Sequence, residues 1–148
     1  MTIKVVDLYT DGACEPNPGK GGWGAILMFN GKEKVLSGYE EVSTNNKMEL
    51  TAVIMGLNAL KEPCVVNVYS DSAYVVNAFV NNWIDSWLKN NWITSSGKPV
   101  ANKELWLELI RLSEFHKLNF IKVKGHSDNV NNQRCDDLAV SEIKRRLK

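Results

Sequence analysis

The chain has 148 residues, 44% hydrophobic and 24% charged, and its 18 Lys and Arg nearly balance its 17 Asp and Glu at a formal net charge of +1. Such a composition predicts an ordinary globular fold, one domain over 1–148 burying roughly two-thirds of its unfolded surface, and the charge balance alone gives no reason to expect nucleic acid. Cys14, Cys64 and Cys135, with no CxxC pair, speak against a disulfide framework, and no apolar run approaches the roughly 20 residues of a membrane span, so a cytoplasmic chain with reduced thiols is expected.

Ile3 to Thr10, rich in β-branched and aromatic residues, reads as the first strand. A loop dense in Gly and Pro follows from Gly12 to Gly22. Trp23–Phe29 and Lys34–Tyr39 read as a hairpin, because Asn30-Gly31 between them suits a turn with positive φ at both central positions. Asn45 to Leu60 carries Leu50, Val53, Ile54, Leu57 and Leu60 at helical spacing, and Pro63 stops it. Val65–Ser70 is an apolar run of the kind buried in a sheet. A helix from about Ser72 to Asn81 comes next, then a segment with Trp83, Trp87 and Trp92 that ends at Ser95-Ser96-Gly97-Lys98-Pro99. Asn102–Lys117 reads as an amphipathic helix, Leu118–Lys124 as the fifth strand, Gly125–Asn132 as a polar loop and Asn132–Lys148 as the last helix. The order βββαβααβα, with the tryptophan segment as an extra helix, predicts an α/β fold. Its five-stranded mixed sheet has an antiparallel hairpin on one edge, parallel strands one, four and five, and flanking helices.

Four acids sit where folding does not ask for them. Asp11 follows the first strand and Asp71 the fourth, and the carboxyl ends of parallel strands share one edge, where ligands bind. Glu49 opens a helix and shares the stripe of Ala52, Val53 and Gly56. Asp136 shares that of Ala139, Val140 and Ile143, whereas Asp137 goes with Val140, Ser141 and Lys144. Two carboxylates about 5 Å apart repel by roughly 3 kcal/mol at an effective dielectric near 20. Hard divalent cations remove that repulsion, and an all-oxygen donor set without a His or Cys cluster suits Mg²⁺ or Mn²⁺, not zinc. Two such ions about 4 Å apart serve in-line phosphoryl transfer, one at the attacking water and one at the leaving oxygen.

Each acid alone has a plainer explanation. Asp11-Gly12 suits a turn, Glu49 completes an Asn46-x-x-Glu49 capping box, Asp71-Ser72 caps a helix, and Asp136 is a surface acid near a helix start. Their coincidence on one predicted edge favours a site. His126 lies in the polar loop beside it, and an unperturbed imidazole titrates near neutrality, as a proton shuttle must. His116, late in a helix, reads as structural. Trp83 and Trp87, four apart, either form a small apolar cluster or, with Lys89, Lys98 and Lys103, offer a surface to a nucleic-acid backbone. Cys14 and Cys135 flank carboxylates, but a thiolate is too soft for Mg²⁺.

The strings TDGACEPNPGKGGWGAI, TNNKMEL, YSDSAYV and KGHSDNVNNQRCDDLA resemble the signature blocks of bacterial type 1 ribonuclease H, and WIDSWLKNNW…GKPVANKELW resembles that family's handle and the helix after it. Order and spacing agree along nearly the whole chain. The resemblance implies a ribonuclease H-like fold with a Trp-containing handle. It also implies an endonuclease that hydrolyses the RNA strand of RNA–DNA hybrids by two-metal-ion catalysis, leaving 5′-phosphate and 3′-hydroxyl ends. Asp11, Glu49, Asp71 and Asp136 would then hold Mg²⁺ (or Mn²⁺), two ions with substrate bound, and His126 would aid proton transfer or product release. Cys14, Asn17, Asn45 and Asn46 match positions at the hybrid's minor groove, Thr44 and Asn102 match positions that hold a DNA phosphate, and Trp83, Trp87 and Lys89 belong to the handle. A hybrid's wide, shallow minor groove displays 2′-hydroxyls that amides can meet without reading sequence.

Three departures bear on binding rather than chemistry. Val42 stands where relatives often carry Arg beside the phosphate pocket, Ala73 where many carry Gln, and the handle is poor in Lys and Arg. Weaker hybrid binding with a flatter salt dependence is implied. A monomer with no obligate protein partner is expected. The alternatives are a catalytically silent hybrid-binding module, against which the four intact carboxylates speak, and another metal-dependent nuclease of the same fold, against which the TNNKMEL block and the Trp segment speak.

Overall fold

A computed structural model of the chain describes residues 3–124 and 129–146. Its elements run β1 (Lys4–Glu15), β2 (Gly19–Phe29), β3 (Lys32–Ser43), α1 (Asn45–Asn58), β4 (Cys64–Ser70), α2 (Ala73–Val80), α3 (Trp83–Lys89), α4 (Lys103–Phe115), β5 (Lys117–Lys122) and α5 (Val130–Lys144). The strands form one sheet in the order β3-β2-β1-β4-β5, antiparallel across β3-β2-β1 and parallel across β1-β4-β5. That is the mixed sheet expected from the order of elements. No helix among the described residues is long and apolar enough to cross a membrane.

Alternation along the strands divides the residues between two faces. Val6 and Leu8 of β1 join Val66 and Val68 of β4, Leu50, Val53 and Leu57 of α1, and Trp106 and Leu109 of α4 in the main core. On the opposite face α5 packs over β1, β2 and β3 and buries Cys135, Ala139 and Ile143. It comes close because β2 has no side chain beneath it at two points. A Cβ on Gly22 would stand 2.1 Å from the carbonyl oxygen of Ala139, and one on Gly24 would stand 2.6 Å from that of Cys135. On the α1 side a Cβ on Gly12 would stand 2.5 Å from the backbone nitrogen of Glu49.

The stretch Gly12–Gly22, expected as a loop, is mostly strand. β1 runs on to Glu15 and β2 starts at Gly19, which leaves Pro16–Pro18 as the turn. Glycine weakens a strand that needs side chains to pack, but here helices on both faces occupy the space that side chains would take. Asp11 therefore lies within β1 rather than at its end. What ends there is the parallel pairing: β1 and β4 part after Tyr9↔Tyr69, and Asp11 and Asp71 each stand two residues beyond that pair.

Two helix caps also differ from expectation. Thr44 caps α1, its hydroxyl accepting from Lys47 N at 3.1 Å, and the first turn holds no acid. Glu49 lies past that turn, so the Asn46-x-x-Glu49 capping box is corrected and the carboxylate is left for the sheet edge. Asn129 caps α5, accepting from the backbone nitrogens of Asn131 and Asn132 at 3.0 and 3.2 Å. The helix thus starts two residues before Asn132.

Candidate active site

Asp11 from β1, Glu49 from α1 and Asp71 just past β4 each offer a carboxylate oxygen, and the three oxygens all lie within 4.8 Å of one another. Asp11 is 3% exposed, and Gly12 N donates to its Oδ1 at 2.9 Å. Glu49 Oε1 is shut off from solvent with no hydrogen-bond partner among the described residues. Asp136, half-buried on α5, is not one of this trio, yet its carboxyl reaches Asp11 through a side-chain hydrogen bond. Its neighbour Asp137 is exposed, as the helical stripe predicted.

The electrostatics follow from that crowding. Burial, then the charges of Asp71 and Asp136, push Asp11 up to about 8. Burial, then Asp11 and Asp71, push Glu49 well above the usual carboxylate range. Two unit charges 4.8 Å apart repel by about 3.5 kcal/mol at an effective dielectric of 20. A divalent cation among these oxygens would reverse both shifts by supplying the opposite charge. The donor set is oxygen only. Cys135 is buried, donates from Sγ to Tyr9 O at 3.2 Å, and has its thiol pushed up to about 12, chiefly by burial. Its proton is thus engaged with a backbone carbonyl of β1. Cys14 likewise turns inward, its Sγ 3.2 Å from the carbonyl oxygens of Gly19 and Ser43.

One residue passed over in the sequence completes the edge. Asn132, 2% exposed in the first turn of α5, donates from Nδ2 to the carbonyl oxygens of Thr10 at 3.1 Å and Tyr69 at 2.9 Å. Its signal was its spacing, four residues before Asp136 and so on the same inward stripe.

The other predicted residues fall into two groups. Asn17 and Asn45 meet beside the acids: Asn17 Oδ1 accepts from Asn45 N at 3.2 Å and ties the β1–β2 turn to α1. Thr44, Asn45 and Asn46 are exposed at that helix start. Asn102, at φ 61, donates from Nδ2 to Tyr74 Oη at 3.2 Å, and Trp106 Nε1 donates to the same hydroxyl at 3.0 Å. In α3 the two tryptophans divide. Trp87 packs against the rings of Trp92 and Trp106 at 5.8 and 5.2 Å, which fastens the handle to the core, while Trp83 keeps 37% exposure and Lys89 is exposed. His116 is buried and its Nδ1 accepts from Cys64 N at 3.0 Å, the structural role expected. His126 lies outside the described residues.

Fold and site together define an α/β protein built round an acidic centre fit for a hard divalent cation. The sequence matches the RNase H family over residues 4–144. It is 59% identical over 146 residues to the Ribonuclease H of Acetivibrio thermocellus, covering 99% of each chain. To that of a Thermoanaerobacter species it is 58% identical over 143 residues, 97% of this chain and 92% of the relative. The solved structure of LC9-RNase H1, a type 1 RNase H with the type 2 active-site motif, superposes at a TM-score of 0.86 with 26% identity, over 98% of this chain and 74% of that one. The chain belongs to the ribonuclease H family, enzymes that cleave RNA in RNA/DNA hybrids.

Proposed function

We propose that this protein hydrolyses the RNA strand of RNA–DNA hybrids internally, leaving 5′-phosphate and 3′-hydroxyl ends. Asp11, Glu49, Asp71 and Asp136 hold the divalent cations it needs, Mg²⁺ or Mn²⁺, two with substrate bound. Three carboxylate oxygens within 4.8 Å of one another carry this reading, since burial and mutual repulsion push Asp11 and Glu49 toward protonation. Folding alone gains nothing from that crowding, and the all-oxygen set fits a hard cation. Glu49 Oε1, buried without a partner among the described residues, fits one as well. Bound cations would generate hydroxide from water near neutral pH and neutralise charge on the leaving oxygen.

The chain's own contribution is placement. Parting of β1 from β4 sets Asp11 beside Asp71, α1 brings Glu49 over Gly12, and α5 brings in Asp136. The exposed amides of Asn17, Asn45 and Asn46 sit about one turn of α1 from Glu49, where a shallow minor groove can meet them. Thr44 and Asn102 hold a DNA phosphate, and Trp83 and Lys89 meet the backbone farther along. Trp87 keeps the handle seated, and Cys14 shapes the turn that carries Asn17. His126 assists proton transfer or product release.

Incubation with Mg²⁺ and end-labelled hybrid, RNA duplex or DNA duplex tests the proposal. Internal cuts confined to the RNA of the hybrid are expected. Binding without cuts would mean a silent module, and cuts in DNA would mean another nuclease on this fold.

A further inference from the structure

We infer that Asn132 is a positioning residue for the carboxylate centre, one buried amide bridging the strands that carry Asp11 and Asp71 while fixing the helix that carries Asp136. The inference rests on the metal-site reading above. Backbone pairing between β1 and β4 stops at Tyr9↔Tyr69. At that point the amide of Asn132 takes over, donating to Thr10 O and Tyr69 O. The first carbonyl is one residue before Asp11 and the second two before Asp71. On the helix side, Asn132 N is held by the Asn129 cap at 3.2 Å, and Asp136 lies one turn further on.

Three observations separate positioning from simple attachment. First, both bonds use the same NH₂ group, so the amide has one orientation; turned over, its oxygen would face two carbonyl oxygens. Second, Asn132 Oδ1 is buried with no partner among the described residues. An apolar side chain of the same shape would spare that oxygen but leave Thr10 O and Tyr69 O without their donor, so what the amide supplies is the join between the two strand ends. Third, α5 is attached elsewhere: through Cys135 Sγ to Tyr9 O, through Glu142 to Ser37, and by its seat on Gly22 and Gly24. Among these contacts only Asn132 links β1 to β4. The spacing of Asp11 and Asp71 therefore depends on it, and a site misplaced by about half an ångström loses function.

Asn132→Leu keeps the approximate volume and removes both donors. Its readouts are the Kd for Mn²⁺ alone by calorimetry, kcat and KM on a hybrid, and Tm. Glu142→Gln, which weakens the far end of α5, is the control for destabilisation. For Asn132→Leu, a Kd for Mn²⁺ at least ~10-fold weaker and a kcat at least ~10-fold lower are expected, with KM within about threefold, as when a ligand's supporting partner is lost. Glu142→Gln should leave Kd and kcat within about twofold. Asn132→Leu values within about twofold of wild type, or losses shared equally by Glu142→Gln, would overturn the inference. If Asn132→Leu does not fold, Asn132→Ser, with one donor, decides: a weaker Kd for Mn²⁺ supports positioning and an unchanged Kd overturns it. A wild type that binds no Mn²⁺ would sink the metal-site reading and this inference together. A wild type that binds Mn²⁺ and leaves hybrids intact would sink only the substrate assignment, and the Mn²⁺ titrations would still decide on Asn132.

Discussion

Buried carboxylates stand near the two ends of α5, and their fates are opposite. Near its start, Asp11 is pushed upward by burial and by Asp71 and Asp136, and Glu49 by burial and by Asp11 and Asp71. Near its last turn, Glu142 is 6% exposed, and burial alone would raise it as well. Yet Ser37 Oγ donates to Oε2 at 2.6 Å, and Arg145 and Arg146 lie 2.5 and 2.9 Å from Oε1. These partners hold Glu142 below the usual carboxylate range. Burial of a carboxylate is thus no sign of function. Burial among other acids, left for a cation to relieve, is one.

Asp11→Asn breaks the comparison most strongly. Removing one charge from the trio should lower hybrid cleavage by on the order of 10³-fold or more, since electrostatic groups at a reacting centre contribute on that scale. The same change should raise the Tm of the metal-free protein, because it removes the cost of burying a carboxylate beside other acids, and should shrink the Tm gain that Mg²⁺ gives the wild type. Loss of metal-free stability in thermal melts would contradict the crowding argument.

Gly22→Ala acts between the two ends. Its Cβ would meet Ala139 O at 2.1 Å, and Ala139 lies three residues from Asp136 and three from Glu142, so lifting α5 disturbs both. A loss of about 2–3 kcal/mol is expected from overpacking against backbone, with reduced cleavage. Gly31→Ala is the reference: φ is +78 but nothing lies within 4 Å of the added Cβ, so only about 1 kcal/mol of backbone strain should appear. Denaturant midpoints that rank the two alike would refute the seating of α5 on Gly22.

The two ends should also titrate in opposite directions. Asp11, raised from 3.8 to about 8, binds more protons folded than unfolded across that interval. Metal-free stability should therefore fall as pH rises through it. Thermal melts of the metal-free protein should therefore give a lower Tm at pH 8 than at pH 5. Glu142, lowered, contributes stability that is present above its unfolded value and lost as pH falls through its folded one, so its effect lies in acid. Saturating Mg²⁺ should flatten the slope between pH 5 and pH 8. A metal-free profile flat across that range would remove the contrast between the two ends.

Much of this was legible in the sequence. Crossover connections imply the parallel strands, and helical stripes alone separate Asp136 from Asp137. The Gly12–Gly22 strands were not legible, because glycine counts against a strand until the helices that fill its empty side are known. The burial of Trp87 depends on Trp106, nineteen residues later, a contact that local spacing cannot reveal. Asn132 reads as one more polar residue in NVNNQ, and its meaning comes only from the two carbonyls brought to it by β1 and β4. The four acids look alike along the chain, and only three place oxygens mutually within 4.8 Å.

Glu142→Gln should touch the carboxylate centre least. Glutamine keeps an oxygen for Ser37 or one arginine, and it turns an NH₂ toward the other. Arg145 and Arg146 keep 64% and 41% side-chain exposure, so water replaces the lost ion pairs and no charge is stranded in the interior. The expected loss is therefore about 1–2 kcal/mol rather than the larger cost of breaking a sealed pair. Part of it should vanish in 1 M salt, where the screening length drops to roughly 3 Å. Cleavage and Mn²⁺ affinity should stay within about twofold of wild type, since the Gly24 contact and the Asn132 amide hold the other end of the helix independently. If cleavage instead fell in step with stability, the acids at the two ends of α5 would be one coupled network, and their opposite pKa shifts would no longer separate a structural carboxylate from a functional one.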